Sequence, residues 1–469
     1  MHSDLLARFA AIVGDRHALT DSRDVEPYIS EPRGLYGGRT PLVLRPGSVE
    51  EVSKILALAT QTVTPIVPQG GNTGLVGGQM PDRSGGQIVL SLSRLNRIRE
   101  MDLGSNTVIA EAGVVLETLQ NAADAADRLF PLALASQGSC EIGGNLSSNA
   151  GGVGALSYGV ARDLCLGLEI VLPDGAVLDD LRKLKKDNTG YDLKNLFIGA
   201  EGTLGVITAA VLKLFPKPKG KQAAWVALRS PETALELLNR GLAVAGPGLT
   251  AFELMERRPL EYLHRHFPEH RLPLGLDAPW QALIEISSGR SQEDARDLAE
   301  QMLGTALEAG IISDAVLAEN LRENAEFWRL REILPETQKA EGASIKHDIS
   351  LPVAAIPQFI PLAAAEVERV CAGARVVCFG HMGDGNLHYN VSQPVGMDKA
   401  AFLALYRPMN TAVHDVVRAL HGSISAEHGI GQLKRDELAA TAPAVGIDLM
   451  RRIKISFDPA GIMNPGKVI

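Results

Sequence analysis

Short apolar runs and amphipathic stretches alternate along this chain of 469 residues. Ser48-Val49-Glu50-Glu51 has the spacing of a helix-opening capping box, and apolar positions recur at helical period through about Thr60. Residues 64–67 then read as a buried strand running into a glycine-dense loop. Strand-like runs at 87–92, 106–111, 168–172 and 205–212 alternate with helical patterns such as 115–126. Pro173-Asp174-Gly175, between Val171 and Val177, predicts a hairpin turn. The proline-lysine segment 215–220 reads as a linker. Beyond it, strands at 224–228 and 281–286 and helices at 231–242, 292–307 and 318–339 precede a strand at 374–379. The pattern predicts an α+β protein whose second half is an antiparallel sheet covered by helices.

Composition narrows the function. The length admits two domains with substantial cores. A net charge of -9 argues against a nucleic-acid surface, and the longest basic cluster, Arg182 to Lys186, reads as a solvated face. No apolar run reaches membrane-spanning length, and Met1-His2-Ser3-Asp4 lacks the basic and apolar regions of a signal peptide. A cytoplasmic location is the expectation. Cys140, Cys165, Cys371 and Cys378 lack C-x-x-C spacing and read as small buried hydrophobes.

Glycines concentrate in two clusters, Pro68-Gln69-Gly70-Gly71-Asn72-Thr73-Gly74-Leu75-Val76-Gly77-Gly78 and Gly143-Gly144-Asn145-Leu146-Ser147-Ser148-Asn149-Ala150-Gly151-Gly152. Such loops let successive backbone amides approach an anion closely. Neither is a dinucleotide fingerprint or a Walker loop. A single cluster would be explained as tight turns; two in one domain point to a large, phosphate-bearing cofactor.

His381-Met382-Gly383-Asp384-Gly385-Asn386-Leu387-His388 carries the second chemistry. Its turn-forming centre lets the backbone fold back and bring His381 close to His388. With Glu427, the set becomes two imidazoles and a carboxylate, suited to a catalytic divalent metal with an open position. His428, next in sequence, is left to move protons. Surface loop histidines are the alternative, which the nearby Asn390 and the Glu427-His428 pair weigh against.

Laid out together, these motifs resemble the flavoproteins of the vanillyl-alcohol oxidase / p-cresol methylhydroxylase superfamily. Within it the chain is similar to the D-2-hydroxyacid dehydrogenases, most closely those acting on D-2-hydroxyglutarate. The carriers are the two glycine clusters, Gly199-Ala200-Glu201-Gly202-Thr203-Leu204-Gly205, the His381–His388 segment, Ser425-Ala426-Glu427-His428-Gly429-Ile430-Gly431, and the tail from Asp458 to Lys467. The resemblance implies an N-terminal helical segment (1–37), a two-subdomain FAD-binding domain (38–217) and an α+β substrate or cap domain (218–423). A C-terminal helical tail (424–469) returns to the flavin.

It further implies FAD bound by Pro68, Gly70, Gly71, Asn72, Thr73, Gly74 and Leu75 and by Gly143, Gly144, Asn145, Ser148, Asn149, Gly151 and Gly152, with Gly202, Gly205, Ile207 and Asn464. Asn72 stands where relatives that attach FAD covalently often carry His, so a non-covalent flavin is expected. A divalent metal, usually zinc, would sit on His381, His388 and Glu427. His428 would be the catalytic base, and Arg331, Lys346 and Asn390 would hold the substrate. Two cations exceed what a metal-bound monocarboxylate needs, which predicts D-2-hydroxyglutarate over D-lactate or glycolate. Pro335 departs from relatives that place a hydroxyl there. The remaining alternative is a non-catalytic, electron-transferring flavoprotein subunit. An electron-transfer flavoprotein or a quinone is the acceptor the resemblance implies, and a homodimer is a state the sequence allows.

Overall fold

The computed structural model describes residues 3–31 and 34–469; residues 1, 2, 32 and 33, which fall in the expected N-terminal helical segment, lie outside the described residues. The chain divides into two units. The first comprises residues 1–150, 160–216 and 428–469, and the second residues 151–159 and 217–427.

The first unit opens with helices Ser3–Val13 and Ser22–Ile29. In helix Val49–Thr62, the Ser48 hydroxyl accepts from Glu51 N, while the Glu51 carboxylate accepts from Gly47 N, one residue before the cap. The helix ends at Val63 in the left-handed region. Its apolar stripe (Val52, Ile55, Leu56, Ala59) packs with Ile66, Ile88 and Leu90 of a four-stranded sheet in which Val43–Leu44, Ile88–Ser91 and Ile66–Gln69 run parallel. A five-stranded antiparallel sheet follows in the order Ile98–Asp102, Thr107–Glu111, Val206–Lys213, Cys165–Val171, Val177–Asp180. The predicted 173–175 hairpin joins its last two strands, with Leu172 N bonded to Ala176 O.

The tail is fixed to this unit. Asn464 N donates to Ile66 O and Ile66 N to Ile462 O, so the tail adds to the edge of the parallel sheet. Lys454, in helix Ala444–Phe457, donates to Thr203 O, Met463 O and the Asp458 carboxylate.

The second unit is built on an eight-stranded antiparallel sheet. Its order is Ile312–Leu317, Gly220–Leu228, Trp280–Ser288, Leu249–Glu256, Arg375–His381, Asn386–Ser392, Ser344–Ile345, and Asp348–Ser350 also pairs with Asn386–Ser392. One face carries Phe252, Leu254, Ile284 and Tyr389 in a core shared with helices Pro231–Ala245, Gln292–Glu308, Ile356–Val370 and Tyr406–Ala419. The other carries Trp225, Leu283, Met255 and Phe379, packed with helices Arg257–His266 and Leu321–Thr337. No described helix is long and apolar enough to cross a membrane.

Two sequence expectations change. The linker is shorter than read: Phe215–Pro216 pairs with Arg128–Leu129, and Gly220 already opens a nine-residue strand. Proline is tolerated in so short a pairing because little of a ladder is lost. Residues 151–159, expected within the cofactor domain, belong to the second unit. There the Ser157 hydroxyl bonds Pro247 O at 2.7 Å, and Leu156 packs where a Cβ on Gly383 would sit.

The tail's attachment is testable. Asp458 is 2% exposed, so Lys454→Met leaves a buried carboxylate without its ammonium. We expect a loss of about 3 kcal/mol in unfolding free energy, with earlier proteolysis within 458–469; denaturant unfolding with limited proteolysis checks both.

Candidate functional site

The 381–388 segment folds as a hairpin. His381 is the last residue of strand Arg375–His381, and Gly385 turns the chain with φ +88°, its α-carbon so near Leu351 O that a Cβ would lie 2.2 Å from it. Strand Asn386–Ser392 returns with strict alternation. Leu387, Tyr389 and Val391 enter the core, so Asn386, His388, Asn390 and Ser392 share the opposite face. His388 pairs across the strands with Phe379, and the two imidazoles end with ring centroids 5.7 Å apart. The chain returns at Glu427, whose Oε1 is 3.5 Å from His381 Nε2. One donor atom from each of His381, His388 and Glu427 lies within 4.8 Å of the others.

The surroundings of these donors suit a metal. Glu253, on strand Leu249–Glu256 and 1% exposed, accepts from His381 Nδ1 at 2.5 Å, which leaves Nε2 as the nitrogen that could take a metal. Asp348 lies opposite His388, 3.9 Å from its Nδ1, accepts the Asn386 amide and receives the backbone N–H of Glu427 at 3.0 Å. Burial pushes Glu427 up to about 8, against the pull of His381. For His381 burial acts downward, but Glu253 outweighs it and holds the imidazole at about 9. Two imidazoles and a carboxylate, the imidazoles flanked by carboxylates, form a donor set that a divalent cation fits. Neither Glu253 nor Asp348 was identified from sequence. The signal for Asp348 is its alternation with Ile349, but nothing local marks Glu253, which lies 128 residues from its histidine.

Arg331 is placed differently from expectation. It is 6% exposed, its Nε donates to Glu253 Oε2 at 2.7 Å, and its guanidinium carbon lies 4.9 Å from the centre of the Phe379 ring. The arginine therefore already has a buried carboxylate partner, and the argument from a spare buried charge fails. Lys346 is exposed, in the turn between Ser344–Ile345 and Asp348–Ser350, so it too is no buried charge. Asn390 is buried on the same strand face as His388. His428 is half-buried and follows Glu427 directly, where the chain passes from the second unit to the first. Pro335 lies inside helix Leu321–Thr337.

In the first unit the two glycine clusters differ. Among the described residues, no backbone N–H from Gly71 through Gly74 bonds to a protein acceptor, the arrangement an anion requires. Gly71 packs so tightly that a Cβ would sit 1.9 Å from Ser139 O. Asn72 takes a left-handed φ of 54°, and its amide donates to Pro27 O and Ser30 O. Thr73 and Leu75 are half-buried, Gly74 is exposed, and Pro68 lies in the parallel strand.

The second cluster is a short helix, Ile142–Ser147, and not an open loop. Its Ile142 and Gly143 amides are used by Val114 O and Ala112 O, and Ser148 Oγ returns to Gly144 O. Asn149 accepts from Arg162 N. Gly144 faces open space, with nothing within 4 Å of a Cβ placed there. Gly202 abuts Pro68, Gly205 abuts Val171 O, and Ile207 is buried on strand Val206–Lys213. Asn464 donates to Gly78 O and Glu201 O. Gln69 Oε1, Asn72 Oδ1, Glu141 Oε2, Asn145 Nδ2 and Asn464 Oδ1 are buried without a protein partner. Burial pushes the Glu141 carboxyl up to about 8. Orphaned polar atoms around unbonded loop amides are what a large polar cofactor would satisfy, and FAD fits them. Gly151 and Gly152 lie in the second unit.

Two family models match the chain. Residues 40–180 match the FAD binding domain model and residues 217–468 that of the FAD linked oxidases, C-terminal domain. The D-2-hydroxyglutarate dehydrogenase of Arabidopsis thaliana is 37% identical over 98% of this chain and 80% of its own length. The D-2-hydroxyglutarate dehydrogenase of Xanthomonas citri pv. viticola is 35% identical over 96% of this chain and 93% of its own. A D-2-hydroxyglutarate–pyruvate transhydrogenase of Saccharomyces cerevisiae is 34% identical over 100% of this chain and 95% of its own. Substrate-bound p-cresol methylhydroxylase shares the fold, with a TM-score of 0.76 at 16% identity, over 99% of this chain and 96% of that one.

Glu253→Gln should weaken metal binding about 10- to 100-fold with the secondary structure intact; zinc titration monitored beside circular dichroism decides it. The protons held by His381 and Glu427 add a pH dependence. Both sites are protonated below their raised values of about 9 and about 8, and a metal must displace those protons. Zinc affinity should therefore rise with pH from about 6.5 to 8.5 and be accompanied by proton release, measured by calorimetry in buffers of different ionisation enthalpy.

Proposed function

We propose that this chain, which belongs to the FAD-linked oxidases, oxidises a D-2-hydroxy acid to the 2-oxo acid in a metal-dependent reaction, with D-2-hydroxyglutarate as preferred substrate. The observation that carries it is the convergence of His381, His388 and Glu427 donors within 4.8 Å in a chain whose other unit has the FAD-binding loops. A three-residue donor set leaves one tetrahedral position for a substrate oxygen, which favours catalysis over a purely structural metal. The substrate reading rests on the names of the full-length relatives.

Bound FAD supplies the acceptor for the α-hydride. A divalent cation held by His381, His388 and Glu427, zinc by its nitrogen-rich donor set, would acidify the substrate hydroxyl. The chain's own groups do the rest. Glu253 fixes the His381 tautomer by accepting from Nδ1. Arg331, its Nε committed to Glu253, can turn its Nη groups to the α-carboxylate. Asn390 offers an amide from the same strand face as His388, and Lys346 an ammonium for the distal carboxylate. A ring nitrogen of His428 takes the hydroxyl proton as the α C–H bond breaks, a task matched to an imidazole near neutral pH. The flavin is held without a covalent bond, since Asn72 offers no nucleophilic nitrogen. An electron-transfer flavoprotein or a quinone would accept the electrons from it. A second acceptor is favoured by one observation, the similarity to a transhydrogenase named for pyruvate.

Dye-coupled assays with D- and L-2-hydroxy acids of different lengths test the substrate, and the same assays with pyruvate replacing the dye test the acceptor. D-2-hydroxyglutarate should be turned over best, and D-lactate turned over better would sink the assignment. Chelation and His388→Ala should each abolish turnover with the yellow flavin still bound. Because Arg331 shares a carboxylate with His381, Arg331→Ala should impair every substrate. Lys346→Ala should raise KM for the dicarboxylate about tenfold and that for D-lactate little.

A further inference from the structure

Glu201 lies inside the Gly199–Gly205 motif, directly before Gly202, which was read as a flavin contact, yet its side chain turns to another part of the first unit. Its Oε1 accepts from Ile430 N at 2.7 Å and its Oε2 from Gly431 N at 2.9 Å. The two amides follow His428 by two and three positions. Burial pushes the carboxyl up, while these amides and the Lys434 ammonium draw it down.

The rest of the segment is fixed in the same way. A Cβ on Gly429 would sit 2.8 Å from Glu201 Oε1, and one on Gly431 2.3 Å from Val76 O. Both glycines have positive φ, 81° and 51°. Gln432 donates from its backbone to Val76 O and from its side chain to Gly77 O. Glu201 itself is anchored on both sides: its N–H donates to Ser147 O, at the end of the Ile142–Ser147 helix, and its carbonyl accepts from Asn464 Nδ2. It does so at φ 51°, a conformation unfavourable for a residue with a Cβ. A strained glutamate that links the glycine helix, the tail and the peptide after His428 does more than pack a turn.

We propose that Glu201 is a positioning residue for His428, its carboxylate clamping the two amides that fix the peptide carrying the imidazole. This rests on the reading of His428 as the proton acceptor. An imidazole whose backbone drifts by about an ångström loses its alignment with the proton it must take, which costs on the order of 100-fold in rate. The clamp acts on kcat and leaves substrate affinity to the groups of the second unit.

The test uses the FAD-loaded, metal-loaded full chain with Glu201→Ala, Glu201→Gln, His428→Asn and the double variants. Glu201→Ala should keep its flavin spectrum, lose roughly 10- to 100-fold in kcat at little-changed KM, and show faster hydrogen exchange at Ile430 and Gly431. Glu201→Gln, which keeps one acceptor, should fall between. In the His428→Asn background, the Glu201 substitutions should have no further effect on kcat. Additive losses, or a normal kcat in Glu201→Ala despite accelerated exchange, would overturn the proposal. Should Glu201→Ala fail to hold FAD, Glu201→Gln alone makes the same comparison. If His428→Asn leaves kcat unchanged, the reading of the base has failed, and a drop in kcat in Glu201→Gln would then show the clamp serving another group and overturn the assignment as well.

Discussion

Taking a carboxylate out of water costs several kcal/mol unless opposite charge and hydrogen bonds meet it, and one face of the second unit's sheet is organised around one such group. Glu253 sits on a central strand, with one oxygen on His381 Nδ1 and the other on Arg331 Nε. Burial alone would favour its protonated form, but His381 and Arg331 together hold it ionised, at about 2. Strand Leu249–Glu256 and helix Leu321–Thr337 are thereby joined to the hairpin that carries both histidines. The His381 imidazole and the Arg331 guanidinium cannot move independently, because they share one anion.

The same requirement explains the second carboxylate beside the donors. Asp348 holds the Glu427 amide and the Asn386 side chain while facing His388. Without a cation, Glu253, Asp348, Asp384 and Glu427 set four carboxyl groups around the imidazoles, and burial pushes Glu427 up to about 8 and Asp384 up to about 6. Their unmet demand adds to the argument that geometry makes for a cation.

Much of the frame was legible because its cause is local. Ser48 and Glu51 announce a helix start, Pro173-Asp174-Gly175 a hairpin, and Gly385 a turn. Asn386–Ser392 alternates strictly, a strand that was not read from the sequence. What stayed hidden is non-local. Strand Leu249–Glu256 is buried on both faces and so shows no alternation, and no rule of spacing connects Glu253 to His381. Arg331 illustrates the limit best. The sequence marked Arg331 as a candidate for holding substrate, but its charge balance depends on a strand 78 residues away. The inference from two cations to two substrate carboxylates failed there. The glycine clusters looked alike for a related reason: glycine marks both an open loop and a close packing contact, and only the path of the backbone separates them.

The chain leaves the second unit and enters the first at the peptide bond between Glu427 and His428. On one side, the Glu427 amide is held by Asp348; on the other, Ile430 and Gly431 are held by Glu201. A carboxylate thus grips the main chain just before and just after the pair of residues that carry the metal ligand and the imidazole. Backbone amides are rigid handles, because the peptide plane that carries each N–H bends little. Within the second unit the Glu427 peptide, and within the first the peptides of Ile430 and Gly431, are therefore set by anchors in the main chain. A main-chain anchor is a tighter constraint than side-chain packing alone imposes, since a rotamer can relax while a bonded peptide plane cannot bend.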